Sequence, residues 1–246
     1  MILAGDTIGN AAGPVIGPNT EGTWIMWLQK FELTTRVDAL IQALLEEFFQ
    51  ALGHVEPLKV MEIGVHTGAF PKMVLMNNPS SCVTGIDPYP FPGGAEVREN
   101  MFGELAALGV RGRYRHFDST VEVPDGLFDV IHVDGEHTER AIAADLNFSS
   151  KRLAPNGVLV IDDVRHRWFA GVMSETWRFI HSTDFCILAD TGQKFYLVRA
   201  ESLNQMRNAL REVLEPYLEI FDSYRDYEPA TRMNQRPDVK GQPVLL

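Results

Sequence analysis

Carboxylates and imidazoles gather at the ends of two apolar runs in this chain. "VIHVDGEH" closes on Asp134, Glu136 and His137, and "VLVIDDVRH" closes on Asp162, Asp163 and His166. If the two runs are neighbouring strands, Asp134, Asp162 and Asp163 meet in one small volume. Like charges held that close raise one another's pKa, and a divalent cation removes the penalty. An all-oxygen donor set favours a hard ion, Mg2+ first, with Ca2+ and Mn2+ behind it. His137 is the expected general base, because imidazole titrates near neutral pH; Asp134 and His166 are the alternatives. The competing reading makes Asp134, and Asp162 or Asp163, ordinary N-caps of the helices that follow. Either acidic stretch alone suits that reading better. Both together, beside a cofactor loop, favour the metal.

That loop is "EIGVHTG" at 62–68, a strand running into glycines ahead of a helix. Glycine lets a backbone adopt positive φ and approach a ligand closely. Gly64 is followed by Val65, His66 and Thr67 before Gly68, so the spacing is not the G-x-G-x-x-G of dinucleotide-binding proteins. This counts against a nicotinamide-dependent oxidoreductase. Nineteen residues after Gly68, "GIDPYP" places Asp87 at the end of the next apolar run. A carboxylate there can accept hydrogen bonds from ribose hydroxyls. The Asp-Pro pair is also a turn signal, so Asp87 capping its own turn is the alternative.

These residues must be positioned by the elements before them, and the pattern supplies those elements. Apolar runs at 59–65, 81–87, 113–118, 128–134 and 157–163 alternate with helical spacing at 67–77, 97–108, 138–153 and 169–180. Repeated strand–helix units predict an α/β fold, a doubly wound, Rossmann-like and mostly parallel sheet with ligands beyond its carboxyl edge. "FCILAD" and "KFYLVRA" flank the turn "TGQ" and predict a C-terminal antiparallel hairpin, for seven strands in all. His132 lies within the fourth strand and reads as a satisfied core side chain. The helical spacing of Trp168 and Phe169 fits a buried face better than a pocket wall. Three regions follow: an arm and helical extension over 1–56, a catalytic domain over 57–200, and a helical extension with a polar tail over 201–246. In the first, 1–22 is rich in Gly and Pro, 24–31 reads as a short helix, and a second helix runs from Val37 to Gly53 with Thr35 as its N-cap.

With "EIGVHTG", "GIDPYP" and "HFDS" in place, residues 57–200 resemble the class I S-adenosylmethionine-dependent methyltransferases. The resemblance implies that Glu62, Gly64, His66, Thr67 and Gly68 hold the methionine portion of the cofactor. It assigns ribose to Asp87 and adenine to Asp118 with Ser119, and Asp134 is counted among the cofactor contacts. The chain departs from the family in carrying His66 where many members have a glycine. "HVDGEH…IDD" is similar to the metal-dependent O-methyltransferases around the macrocin-type sugar enzymes and the cephalosporin hydroxylase-like proteins. There the acids matching Asp134, Asp162 and Asp163 hold magnesium, and a substrate hydroxyl completes its coordination. The implied activity is Mg2+-dependent methyl transfer to a hydroxyl of a small molecule, a sugar or phenol of a natural product. A protein that binds the cofactor without catalysis is the non-enzyme alternative.

Composition narrows the partners. A net charge of −11 over 246 residues argues against nucleic acid. The one basic cluster, "RGRYRH" at 111–116, reads as a solvated loop or strand edge. Two cysteines, Cys82 and Cys186, make no disulfide framework and suit a reducing compartment. The first residues lack the pattern of a signal peptide, and no apolar run is long enough to span a membrane. The expectation is a cytoplasmic protein, with the terminal extensions favouring a homo-oligomer.

Overall fold

A computed structural model describes residues 40–217, together with Asp38 and two short strands at 238–239 and 242–243. The arm at 1–22, the short helix at 24–31, the cap at Thr35 and the start at Val37 lie outside the described residues. Helix α1 (Leu45–Ala51) follows a helical stretch at 40–43 and ends before Gly53, whose φ of 81° stops it. The alternation then unfolds as read: β1 (Lys59–Ile63), α2 (Ala69–Asn77), β2 (Cys82–Ile86), α3 (Gly94–Ala107), β3 (Tyr114–Phe117), β4 (Phe128–Val133), α4 (Glu139–Arg152), β5 (Leu153–Ile161) and α5 (Ala170–Ser182). The hairpin β6 (Phe185–Asp190) and β7 (Phe195–Arg199) turns at "TGQ", and α6 (Leu203–Leu214) follows. The strands at 238–239 and 242–243 (β8 and β9) pair with each other.

The sheet order is β3-β2-β1-β4-β5-β7-β6, with β7 antiparallel to both of its neighbours and the other pairings parallel. This is the seven-stranded Rossmann-like sheet expected of the pattern. Strands buried on both faces read as continuous apolar runs rather than alternating ones, which is why "VIHV" and "VLVI" looked alike. Side chains still alternate between faces. Val60, Val130, Val158, Val160 and Val198 pack with α1, α2, α3 and α6. Met61, Ile131, Leu159 and Leu197 pack on the other face with α4 and α5 through Ile142, Leu146, Val172 and Ile180. Each such buried aliphatic side chain contributes about 1.5–3 kcal/mol.

β3 is an edge strand, and the basic cluster lies at that edge. Arg113 caps the carbonyls of Asn78 and Ser81 at 2.9 Å, and Arg111 lies over the Phe102 ring. Among the described residues no helix is long and apolar enough to cross a membrane. Register sets the carboxyl edge: Ile63 pairs with Ile86 on one side and Val133 on the other, and Val133 pairs with Ile161. The loops carrying Gly64, Asp87, Asp134 and Asp162 therefore leave the sheet side by side.

Candidate active site

The first half of this edge is built from backbone geometry. Gly64 leaves β1 with φ of 86°, and a Cβ there would fall 1.9 Å from the carbonyl oxygen of Asp134. Only glycine lets the loop lie across the end of β4. His66 follows with φ of 46°, a conformation rare for a residue with a side chain. Asp87 Oδ2 holds it there, accepting the N–H groups of Val65 at 3.0 Å and His66 at 2.9 Å. The Tyr89 hydroxyl donates to the His66 carbonyl at 2.8 Å, and the Tyr89 N–H donates to Asp87 Oδ1 at 2.7 Å. Asp87 thus caps its own turn and staples the glycine loop, and its buried carboxylate keeps acceptor capacity for a further donor. Gly68, with φ of 73°, opens α2 without any side-chain cap, while His66 and Thr67 are exposed.

Glu62 lies beneath the loop, 2 % exposed. Its Oε1 is 3.0 Å from His132 Nδ1, and its buried Oε2 has no hydrogen-bond partner among the described residues. Burial pushes its pKa up to about 7. His132 is the core side chain expected, stacked on Phe70 at 4.3 Å. Beyond β3, Asp118 is well exposed and pairs with Arg98 at 3.5 Å and His116 at 3.6 Å, with Ser119 half-buried next to it.

The second half is built from charge. His137 Nε2 lies 3.5 Å from Asp134 Oδ1 and 3.2 Å from Asp163 Oδ2. The donor atoms of Asp134, His137 and Asp163 all lie within 4.8 Å of one another, which suits a metal ion. Neither contact counts as a hydrogen bond, so among the described residues the buried His137 Nε2 has two ion-pair contacts but no hydrogen-bond partner. The two carboxylates, Asp134 first, push its pKa up to about 9 against the effect of burial. Its ring stacks on Phe169 at 4.1 Å, and His166 covers the far side of Phe169 at 4.4 Å.

Helix capping explains none of these acids. Thr138 caps α4, its Oγ1 accepting from the Ala141 N–H at 3.3 Å, and Phe169 is the residue before α5. The N-cap reading of Asp134, Asp162 and Asp163 is therefore corrected. Asp162 and Asp163 also part company. Asp163 has φ of 55° and meets His137. Asp162 points to the opposite face, where Oδ2 takes the Lys194 ammonium and Oδ1 accepts the Asp163 N–H at 2.7 Å. Burial raises its pKa, but His132 and Lys194 outweigh that and hold it well below the usual carboxylate range.

His66, Tyr89 and Asp163 are the non-glycine residues with positive φ among those described, and all three lie at strand carboxyl ends. Each such conformation costs about 1–3 kcal/mol and is a pointer to function when clustered. Trp168 overturns the buried-face expectation: it is 72 % exposed on the loop ahead of α5, because α5 starts only at Ala170. Sequence reasoning missed Tyr89 and Lys194. Strand parity offered a signal for Lys194, since it shares a face with Tyr196, but only the register reveals whose charge it meets.

Residues 61–164 match the model of a family described as a methyltransferase domain. A curated relative, the uncharacterized protein R132 of Acanthamoeba polyphaga mimivirus, is 26% identical over 129 residues, covering 48% of this chain. The match takes in 57% of that protein, so the chain spans little more than half of its relative's length. Among solved structures, the SAH-bound methyltransferase PaMTH1 of Podospora anserina superposes with a TM-score of 0.54 at 12% identity, covering 74% of this chain and 88% of that one. The O-methyltransferase from Bacillus cereus in complex with SAH gives a TM-score of 0.50 at 11% identity, covering 74% and 93%. At these identities the superpositions establish the fold.

Proposed function

We propose that residues 61–164, which match a methyltransferase domain, form a class I S-adenosylmethionine-dependent methyltransferase and that the chain methylates a hydroxyl of a small molecule, a sugar or phenol of a natural product. A divalent ion, Mg2+ first, would be held by Asp134 and Asp163. The observation that carries this reading is the convergence of Asp134, His137 and Asp163 directly under the glycine loop, with Gly64 packed on the Asp134 carbonyl.

S-adenosylmethionine supplies an electrophilic methyl group on sulfur. The residues that would hold it are the loop at 64–68, Asp87, and Glu62, whose buried Oε2 is an acceptor left open for a ligand's donor. Asp118 and Ser119 would lie toward the adenine. Both fold neighbours hold bound SAH, which favours the same class of cofactor here. A divalent ion lowers the pKa of a coordinated hydroxyl and fixes its oxygen. The orphaned His137 nitrogen between two carboxylates fits such a donor set.

With an ion on His137 Nε2, the acceptor's hydroxyl proton would pass to Asp134; where no ion occupies that atom, neutral His137 would accept the proton there. The carboxylates of Asp134 and Asp163 stabilise the imidazolium that results, and Phe169 fixes the plane of the ring. Asp134 is the second candidate for that proton. His137 lying between both acids also favours a second reading, in which it activates the hydroxyl without any ion. Chelation separates the two readings.

The test combines calorimetry with SAH and transfer of a labelled methyl group to a panel of sugars and phenols. SAH should bind, and transfer should need Mg2+ and fail in EDTA. Asp163→Asn should lower transfer at least 100-fold while SAH affinity stays within threefold. Binding of NAD instead of SAH would overturn the proposal. Full transfer in EDTA would leave only the ion-free reading.

A further inference from the structure

Asp162 and Asp163 are neighbours in sequence that serve opposite faces of the sheet. The face of Asp162 carries a string of buried polar side chains across four adjacent strands: Glu62, His132, Asp162, Lys194, and then Tyr196 with Asp38. Strand register produces it. Glu62 pairs with His132, His132 with Val160, and Val160 with Tyr196, so these positions and those two residues further on share one face. Lys194 is 7 % exposed and Asp162 8 %. Besides Asp162, the Lys194 ammonium meets His132 Nε2 at 3.1 Å, and Tyr196 donates to Asp38 Oδ1 at 2.8 Å within the same group.

We propose that Lys194 is the resident counter-ion of Asp162, a positioning residue that withdraws this carboxylate from divalent-ion coordination and leaves Asp134 and Asp163 as the ion's carboxylates. The inference rests on the metal reading above. Both Asp162 oxygens are engaged, one by the ammonium and one by the Asp163 N–H. A divalent ion on the same carboxylate would be pressed against a buried ammonium, and like charges at that range repel strongly at low dielectric. Lys194 is buried, and its ammonium is held between Asp162 and His132 Nε2. Asp163, turned outward by its positive φ, faces Asp134 and the His137 imidazole, which can release its proton and turn ligand when an ion enters. The paired acids thus divide their work: one is neutralised from inside the protein, the other stays open to the cleft.

The experiment measures Mn2+ binding to the full chain by electron paramagnetic resonance, with and without SAH. Asp163→Asn should weaken Mn2+ at least tenfold, whereas Asp162→Asn should change it by less than threefold. Lys194→Met should tighten it several-fold by freeing a carboxylate. If circular dichroism shows that variant unfolded, the Asp162→Asn/Lys194→Met double variant, which removes both buried charges, should bind Mn2+ within threefold of wild type. Equal weakening by Asp162→Asn and Asp163→Asn would overturn the proposal while leaving the metal reading intact. Mn2+ binding to Lys194→Met but not to wild type would support the role of Lys194 and sink the metal reading. No binding by any of these proteins would overturn both.

Discussion

The two halves of the sheet's carboxyl edge solve different problems. At the ends of β1 and β2, shape is set by main chain: Gly64 and His66 at positive φ, with Asp87 accepting three backbone N–H groups. At the ends of β4 and β5, the same edge is set by charge, with His137 between Asp134 and Asp163 and Lys194 on Asp162. The first half therefore tolerates loss of charge poorly only where charge holds the backbone. The second should lose a partly exposed carboxylate at smaller cost, because solvent can hydrate the groups left behind. A loop that must approach a ligand closely has to be rigid before binding, whereas a charged cluster gains its purpose from what it binds.

Breaking the first half at its tightest point gives the largest effect. Gly64→Ala puts a methyl group on the Asp134 carbonyl at a φ that alanine resists. It should cost about 3 kcal/mol or more and abolish SAH binding. Urea denaturation and calorimetry check both, and wild-type affinity for SAH would show that the loop has slack. Asp87→Asn comes next: it keeps the size but weakens acceptance of three N–H groups. The expected loss is about 1–3 kcal/mol of stability, with SAH affinity falling more than Mn2+ affinity. A stability change no larger than that of Asp163→Asn would erase the contrast between the halves.

A third effect, confined to a pH window, concerns Glu62, which underlies both halves. Its folded pKa is raised to about 7 from 4.5. The native chain therefore binds the proton more tightly than the unfolded chain between those values. Stability is lost as pH rises through that window and stays lost above it. Glu62→Gln cannot ionise and escapes the loss, so it should gain on wild type by up to about 3 kcal/mol between pH 4.5 and pH 8. Urea midpoints at the two pH values measure the gain. A pH-independent difference would mean that Glu62 is ionised throughout, neutralised by His132.

Much of this was legible because it is local. Runs such as "KVMEIGV" and "GVLVIDD" are too apolar and too short to be anything but buried strands when helices alternate with them, and glycine at 64 and 68 carried its conformational meaning openly. Trp168 misled because helical spacing begins two residues ahead of the true start of α5, where the chain is still a loop. His137 and Asp134 were found as reactive types at a strand end, and their convergence with Asp163 on one side of the sheet followed from the adjacency of β4 and β5.

What the amino-acid order determined by itself was the succession of strands and helices, and with it which residues would stand at the carboxyl edge. Those properties follow from hydrophobic period and turn chemistry, which act over a few residues. Only the tertiary structure decided that Asp162 turns inward to Lys194 while Asp163 turns outward to His137. That choice depends on one left-handed residue and on the register of β7 beside β5, and a lysine 32 residues away along the chain becomes a counter-ion only when the sheet brings it there.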